Sequence, residues 1–360
     1  MYFYSSLSYP QQMKPISTAL LSFGMSGRVF HAPFLRAHPG FELALVWERT
    51  TPLASTIYPS IRSVRRLEEI LEDPSIELVA VNTPTATHFD YTRQVLQAGK
   101  HAIVEKAFTV TVEEAKQLQQ MARERGVCLS VFQNRRYDSD FLTVKKMAAS
   151  GMLGEILEAE FHFDRFKTTL SPKLHKELPE PGAGLLYDLG PHLIDQALVL
   201  FGFPDALFAD IRTVRPGSVV DDCFELLLYY PRLRVRLKSG YHYREPIPAY
   251  TLFGTKGSFH KSRADVQERD LQAGISPDSV HWGIEPKEEE GWLHTETEAG
   301  MIQQHWPTEV GNCLRYYEAI YHQIREAATA PVSADEGISI VLLIEAALQS
   351  SLQQRVIQLK

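Results

Sequence analysis

From Ile16 to about Gln133, short apolar runs alternate with amphipathic stretches, the pattern of a parallel sheet whose strands are joined by helical crossovers. Strands are expected over residues 16–23, 42–47, 76–81, 101–104 and 128–132. A helix begins after Thr111, because Thr111 and Glu114 have the spacing of a capping box, and Gly126 is placed to end it. Past Arg136 the period changes. Leu157, Ala159, Phe161 and Phe163 alternate with Glu158, Glu160, His162 and Asp164, which predicts a strand with one dry face. Leu233, Val235 and Leu237 repeat the alternation against Arg234, Arg236 and Lys238, and residues 223–230 are strongly β-forming. A helix containing residues 187–200 interrupts these strands. Two more helices, about 313–328 and 335–354, close the chain on either side of Pro331. The expected architecture is an α/β Rossmann-type domain, a doubly wound parallel sheet over residues 14–135. It is followed by an α+β domain over 136–360 with a large, mostly antiparallel open sheet. Residues 276–300, with Glu288, Glu289 and Glu290 and little periodicity, read as a long acidic surface loop. Met1 to Gln12 read as an aperiodic tail, either disordered or upstream of a start at Met13.

The length of 360 residues and a hydrophobic fraction of 44% suit two domains with substantial cores. A formal net charge of -7 provides no footprint for nucleic acid or an anionic membrane. Cys128, Cys223 and Cys313 are too few and too scattered for a disulfide framework or a thiolate metal site. No apolar stretch approaches the ~20 residues of a membrane span, and no secretion signal is read at the N-terminus. A cytoplasmic protein acting on a small molecule is the expectation.

Ser22-Phe23-Gly24-Met25-Ser26-Gly27 follows the first strand and opens a helix, in the position of a Gly-x-Gly-x-x-Gly fingerprint whose first glycine is serine. Gly24 would let backbone approach a pyrophosphate at a helix N-terminus, and Gly27 would allow tight helix-to-strand packing. Phe23, Gly24, Met25, Ser26 and Gly27 are therefore candidate cofactor contacts. Glu48 ends the second strand about 20 residues on, where an acidic side chain can accept hydrogen bonds from ribose hydroxyls. Arg49 follows it and could hold a 2′-phosphate instead, so NAD and NADP both stay open, with Glu48 tilting the choice to NAD. Asn82, Thr83 and Pro84 end a further strand on the same side of the sheet. His88 either orients their loop or touches the cofactor.

Glu105 and Lys106 leave another strand's carboxyl end in the same crevice, where Lys106 can polarise a substrate oxygen. Asp188 and His192, four apart on an expected helix, share a face. Histidine suits the proton transfer that accompanies hydride exchange between an alcohol carbon and a nicotinamide, and Asp188 can orient it or hold a substrate hydroxyl. No further carboxylate or histidine completes a metal site. Asn134, Arg135, Arg136, His162 and Arg165 are secondary candidates near the domain junction, with Asn134 and Arg165 placed on the substrate side.

The chain resembles the Gfo/Idh/MocA family, which includes glucose-fructose oxidoreductase and inositol dehydrogenases. The resemblance is carried by Gly24 to Pro33, Gly99 to Lys106, Asn134 to Phe141, Phe163 to Phe166, Tyr187 to His192 and Gly254 to Phe259, and is strongest to the branch of scyllo-inositol dehydrogenases. It implies an NAD(P)-dependent dehydrogenase or reductase acting on a sugar or polyol, with Lys106, Asp188 and His192 as the catalytic group. It also implies a homodimer or homotetramer formed through the second-domain sheet. Ala107 replaces the proline of the family's Glu-Lys-Pro motif, and Ser22 the first fingerprint glycine; neither change removes a reacting group. A glycoside hydrolase with tightly bound NAD and a non-catalytic dinucleotide sensor are the competing readings, since one fold can host several functions.

Overall fold

The computed structural model describes residues 13–172, 176–245 and 247–359. The segment from Met1 to Gln12, expected to be an aperiodic tail, lies outside them. Six strands build the first sheet: β1 (Ile16–Leu20), β2 (Phe41–Trp47), β3 (Arg62–Val64), β4 (Leu78–Val81), β5 (His101–Glu105) and β6 (Leu129–Phe132). All neighbours are parallel in the order β3-β2-β1-β4-β5-β6. Strand order reverses beside β1, so the β1 and β4 carboxyl ends open the crevice where such sheets bind ligands. β4 is Leu-Val-Ala-Val and wholly buried, as a strand covered on both faces must be. The helix Val112–Arg125 starts with the expected capping box between Thr111 and Glu114 and ends at Gly126 with φ 64°.

The second sheet has nine strands: β7 (Ile156–His162), β8 (Ala206–Arg212), β9 (Cys223–Tyr229), β10 (Arg234–Gly240), β11 (Tyr250–Gly254), β12 (Gly257–Lys261), β13 (Gly291–Thr297), β14 (Gly300–Trp306) and β15 (Ile357–Gln358). Their order is β14-β13-β12-β11-β7-β10-β9-β8-β15, antiparallel throughout except for the β7–β10 pair. Phe161, Leu226, Leu237, Tyr250, Leu252, Phe259 and Leu293 form one core with residues of the helices Ser139–Ala149, Gly190–Phe201 and Ala334–Gln353. The opposite face carries charged and polar residues together with the exposed Phe253, Trp292 and Met301.

Two expectations are corrected. Residues 276–300 are not one acidic surface loop: β13 lies within them and pairs with β12 and β14. Leu293 and Thr295 turn inward while Trp292 and Glu296 turn out, a dry face too short to register as a clear alternation. Nearby Trp282 and Glu285 are buried as well, Glu285 in a fully buried ion pair with Lys261. The helix expected over 187–200 is also broken. A short turn, Leu185–Asp188, stops at Leu189 and a second helix starts at Gly190. Pro191 has no N–H to donate back to Tyr187, which removes the bond that would join the two segments.

The first core also recruits residues from the end of the chain. Leu314, Tyr316, Tyr317, Ile320 and Tyr321 of the helix Leu314–Glu326 pack into it, with the Tyr317 ring stacked on Phe34 at 5.7 Å. The helix Ala334–Gln353 reaches both cores, with Val341 in the first and Ile340 and Leu343 in the second.

Candidate active site

The fingerprint turn is shaped by close backbone approach. A Cβ at Gly27 would sit 2.2 Å from the Ser22 carbonyl oxygen and 2.8 Å from Asn82 Nδ2, so only glycine fits. Asn82 Nδ2 donates to that same carbonyl at 2.9 Å, fastening the β4 end to the β1 end. Ser22, in place of the first glycine, accepts the Gly24 N–H at 3.1 Å through its hydroxyl. Gly24 and Met25 are exposed at the start of the continuous helical run to Ala37, whose opening N–H groups have no partner within the helix. Asn82 Oδ1 is buried beside this turn with no hydrogen-bond partner among the described residues. An open helix start, a glycine that permits backbone approach and an orphaned acceptor together fit a dinucleotide pyrophosphate and its ribose hydroxyls.

Other sequence-nominated residues hold the crevice together. The Ser26 hydroxyl donates to Glu105 Oε1, and the Lys106 N–H donates to Glu105 Oε2 at 3.2 Å. His31 Nε2 lies 3.2 Å from Glu105 Oε1 while its Nδ1 lies 2.8 Å from the Tyr317 hydroxyl. Burial pushes the Glu105 carboxyl up, but His31, Ser26 and Lys106 outweigh it and hold the group below its usual range. His88 is buried, with Nδ1 2.8 Å from the Ala107 carbonyl and Nε2 2.8 Å from the Thr83 carbonyl. Burial lowers its pKa, so a neutral ring donates to one of the two. The ring sits between the loop after β4 and the loop after β5. The Thr83 hydroxyl accepts from Thr87 at 2.8 Å, and Pro84 is exposed at the head of that turn. The Lys106–Ala107 peptide is cis.

Glu48 faces inward. Its Oε1 accepts the Leu53 N–H at 2.9 Å, and its Oε2 accepts the Ala54 N–H at 3.0 Å and the Ser63 hydroxyl at 2.6 Å. It caps the turn that follows β2. Arg49 beside it is exposed, its guanidinium 5.9 Å from the Trp47 ring centre.

Lys106, Asp188 and His192 are brought together across the domain junction. Lys106 Nζ donates to Asp188 Oδ1 at 2.9 Å and to the Asp188 backbone carbonyl. Lys176 Nζ, which the sequence did not single out, donates to Asp188 Oδ2 at 2.7 Å. Burial opposes ionisation of Asp188, yet the two ammonium groups dominate and hold its pKa far below the usual carboxylate range. His192 is buried, and its Nδ1 lies 3.2 Å from Gln133 Oε1. With the amide oxygen facing the ring, Nδ1 carries the proton and Nε2 keeps its lone pair. Burial first, then the charges of Lys106, Arg135 and Arg263, push the His192 pKa well down, with Asp188 pulling the other way. The ring is neutral near pH 7 and able to accept a proton.

Gln133 and Asp221 complete the support and were not foreseen. Gly184 has φ 95°, and a Cβ there would meet Asp221 Oδ1 at 1.9 Å. The space lets Asp221 Oδ2 accept the Leu186 N–H at 2.7 Å and cap the turn that presents Asp188. Burial raises the Asp221 carboxyl to about 6. Of the secondary candidates, Arg135 is locked to Asp138, Asp265 and Glu268, and Arg136 to Asp195 and Glu336. His162 faces Asp164 at 3.1 Å, whereas Arg165 lies over the Phe163 ring at 5.1 Å. Asn134 is half-buried in the turn Asn134–Tyr137, next to Gln133. Among the described residues no group of three or more His, Cys, Asp or Glu side chains could hold a metal ion, and no helix is long and apolar enough to cross a membrane.

Comparison with known proteins bears on this geometry. The model of the Gfo/Idh/MocA oxidoreductase family's NAD-binding Rossmann fold matches residues 16–133, and that of its C-terminal alpha/beta domain matches residues 145–359. A scyllo-inositol 2-dehydrogenase (NADP(+)) of Bacillus subtilis is 38% identical over 97% of this chain and 98% of its own. A solved Bacillus subtilis structure superimposes with a TM-score of 0.93 at 38% identity, covering 98% of this chain and 100% of that one. An oxidoreductase of Bacillus cereus superimposes with a TM-score of 0.88 at 32% identity over 96% of this chain and 99% of its own. The chain therefore belongs to the Gfo/Idh/MocA family and is an NAD(P)-dependent oxidoreductase.

Proposed function

We propose that the protein interconverts a secondary alcohol and a ketone on a sugar or polyol bound between its two domains. The observation that carries this reading is the Lys106–Asp188–His192 group, with the His192 tautomer set by Gln133. When bound, the nicotinamide supplies the hydride acceptor or donor. His192 Nε2 accepts the hydroxyl proton in the oxidative direction and returns it in reduction. Lys106 donates a hydrogen bond to the same oxygen and stabilises negative charge that develops on it. Asp188, kept ionised by two lysines, fixes the Lys106 ammonium and favours the imidazolium that forms on His192.

NADP is the preferred cofactor in this proposal, reversing the tilt toward NAD drawn from the sequence. Glu48 is held inward by the Leu53 and Ala54 N–H groups and the Ser63 hydroxyl, committed to the turn after β2. Exposed Arg49 suits a 2′-phosphate. The NADP(+) in the name of the Bacillus subtilis relative points the same way. Ser26 and Glu105, engaged with each other, set the fingerprint helix. Gly24, Met25 and Gly27 are the pyrophosphate contacts, and Phe23 and Asn82 line the turn. A second copy of the chain is proposed to cover the open sheet face around Phe253, Trp292 and Met301, which sizing with light scattering tests.

The experiment is absorbance at 340 nm with NAD and NADP supplied separately against inositols, aldoses and keto-sugars. Oxidation of one class, abolished in His192→Ala, is the expected result. Sugar release from a glycoside without net cofactor change, or tight cofactor binding with no turnover, would replace the proposal with the hydrolase or the sensor.

A further inference from the structure

The second-domain residues beside the Lys106–Asp188–His192 group carry more positive charge than a neutral polyol requires. Beyond the end of β7 the chain stays extended. The N–H groups of Phe163, Arg165 and Lys167 donate to the carbonyls of Lys238, Gly240 and Tyr241 at 3.0, 3.0 and 2.8 Å. Alternation puts Phe163 and Arg165 on one side of the ribbon, and Lys167 follows a one-residue step in the pairing and is placed by its contact with Tyr241. That side faces the catalytic histidine, since the Phe163 ring centre is 6.4 Å from that of His192. The Arg165 guanidinium lies 5.1 Å from the centre of the Phe163 ring, and the Lys167 ammonium 5.4 Å from that of Tyr241. Aromatic faces thus hold both cations in place.

Neighbouring buried cations are neutralised within the protein. Arg135 has Asp138, Asp265 and Glu268; Arg263 has Asp140; Arg215 has Glu177 and Asp222. Arg165 and Lys167 form no ion pair among the described residues, and Lys106 and Lys176 share the single carboxylate of Asp188. Four cations therefore share one directly paired carboxylate, while Asp265, already bound to Arg135, also feels Arg165. Lys167 feels the cluster: its pKa is lowered by burial and then by Arg165 and Lys176, with Asp188 opposing. The dinucleotide phosphates are assigned to the Gly24–Gly27 turn of the other domain, which leaves this charge to the substrate.

We propose that the substrate is a polyol or sugar bearing an anionic group, a carboxylate or a phosphate, which Arg165 and Lys167 hold at the rim while its hydroxyl reaches His192. This rests on the polyol reading above and narrows it to a chemical class. An excess of fixed cations in a cleft attracts an anion and rejects a second cation.

The test is titration calorimetry on cofactor-loaded protein with D-gluconate, glucose 6-phosphate and myo-inositol, beside 340 nm turnover of each. The expected result is tighter binding of at least one anion than of myo-inositol, with the preference shrinking as NaCl is raised. The gluconate and glucose 6-phosphate arms separate carboxylate from phosphate. In the double variant R165Q/K167Q the preferred anion loses roughly 10- to 100-fold in affinity, the size expected for lost charge-assisted hydrogen bonds. The anion-to-neutral ratio is the readout, so a general loss of fold does not mimic the effect, and R165K/K167R restores part of it. Equal losses for anion and neutral polyol, or no anion binding by the wild type, overturns the inference. Oxidation of myo-inositol with indifference to both anions sinks this inference and leaves the polyol reading standing. Arg165-dependent anion binding without turnover of any compound does the reverse.

Discussion

Replacing Lys106 with methionine keeps much of the side-chain length and removes only the charge and its donors. Lys106 Nζ stands 2.9 Å from Asp188 Oδ1, with 17% of the lysine and 30% of the aspartate side chain exposed. At an effective dielectric of about 20 that separation corresponds to about 6 kcal/mol of bare attraction. Desolvation cancels most of it, leaving about 1.5–3 kcal/mol for a hydrogen bond between charged groups. Losing the donor that stabilises the reacting oxygen adds to this, so kcat/KM should fall roughly 10²- to 10⁴-fold. Asp188 remains ionised because Lys176 still holds Oδ2 at 2.7 Å, so the variant folds and binds cofactor. A second signature is in the pH profile. Lys106 is, after burial, the leading influence that depresses the His192 pKa, so K106M should move the acid limb of kcat/KM to higher pH. Stopped-flow absorbance at 340 nm over pH 4.5–9 measures both effects. A loss under about tenfold with an unmoved acid limb would refute the assignment of Lys106 to the reacting oxygen.

Further consequences are open to simpler assays. Gln133→Leu removes the acceptor that fixes the His192 tautomer, and kcat should fall about 5- to 10-fold for the loss of about 1 kcal/mol, with cofactor affinity unchanged. Arg49→Ala should raise KM for NADP about 10- to 100-fold and leave NAD nearly untouched, because a charge-assisted contact to a 2′-phosphate is lost; equal changes would exclude that role. Gly184→Ala places a Cβ 1.9 Å from Asp221 Oδ1 at a backbone φ of 95°. A drop in Tm is expected, from at least ~1–3 kcal/mol of strain, together with loss of activity through displacement of Asp188. Because the folded-state pKa of His192 is depressed, its contribution to stability is complete above its unfolded value near 6.5 and declines as pH falls below it. Urea midpoints at pH 7.5 and 5.0 should therefore differ less in His192→Phe than in the wild type.

Much of the first domain could be read from sequence, because buried parallel strands are continuous apolar runs and the Thr111 capping box is a local signal. β3 escaped, since Arg-Ser-Val carries no run and pairs only because β2 is already in place. β13 escaped because its dry face holds little more than Leu293 and Thr295, and because three glutamates nearby suggested solvent. Lys106, Asp188 and His192 were legible as members of a motif. Gln133 and Lys176 were not, for each acts on a residue it meets only after the chain has folded, 59 and 12 positions away.

The reading of Glu48 meets the same limit. Position alone marked it as a ribose acceptor, and position cannot reveal that two backbone N–H groups and the Ser63 hydroxyl are donors to the same carboxylate. A buried carboxylate with three donors is costly to turn outward, because each N–H left unpaired forfeits about 1–3 kcal/mol. Oε1, which has one donor, keeps a lone pair, but a ribose hydroxyl must reach the carboxylate where these bonds hold it. Exposed Arg49 pairs with no carboxylate among the described residues, which is why the proposal gives the 2′ position of the cofactor to Arg49.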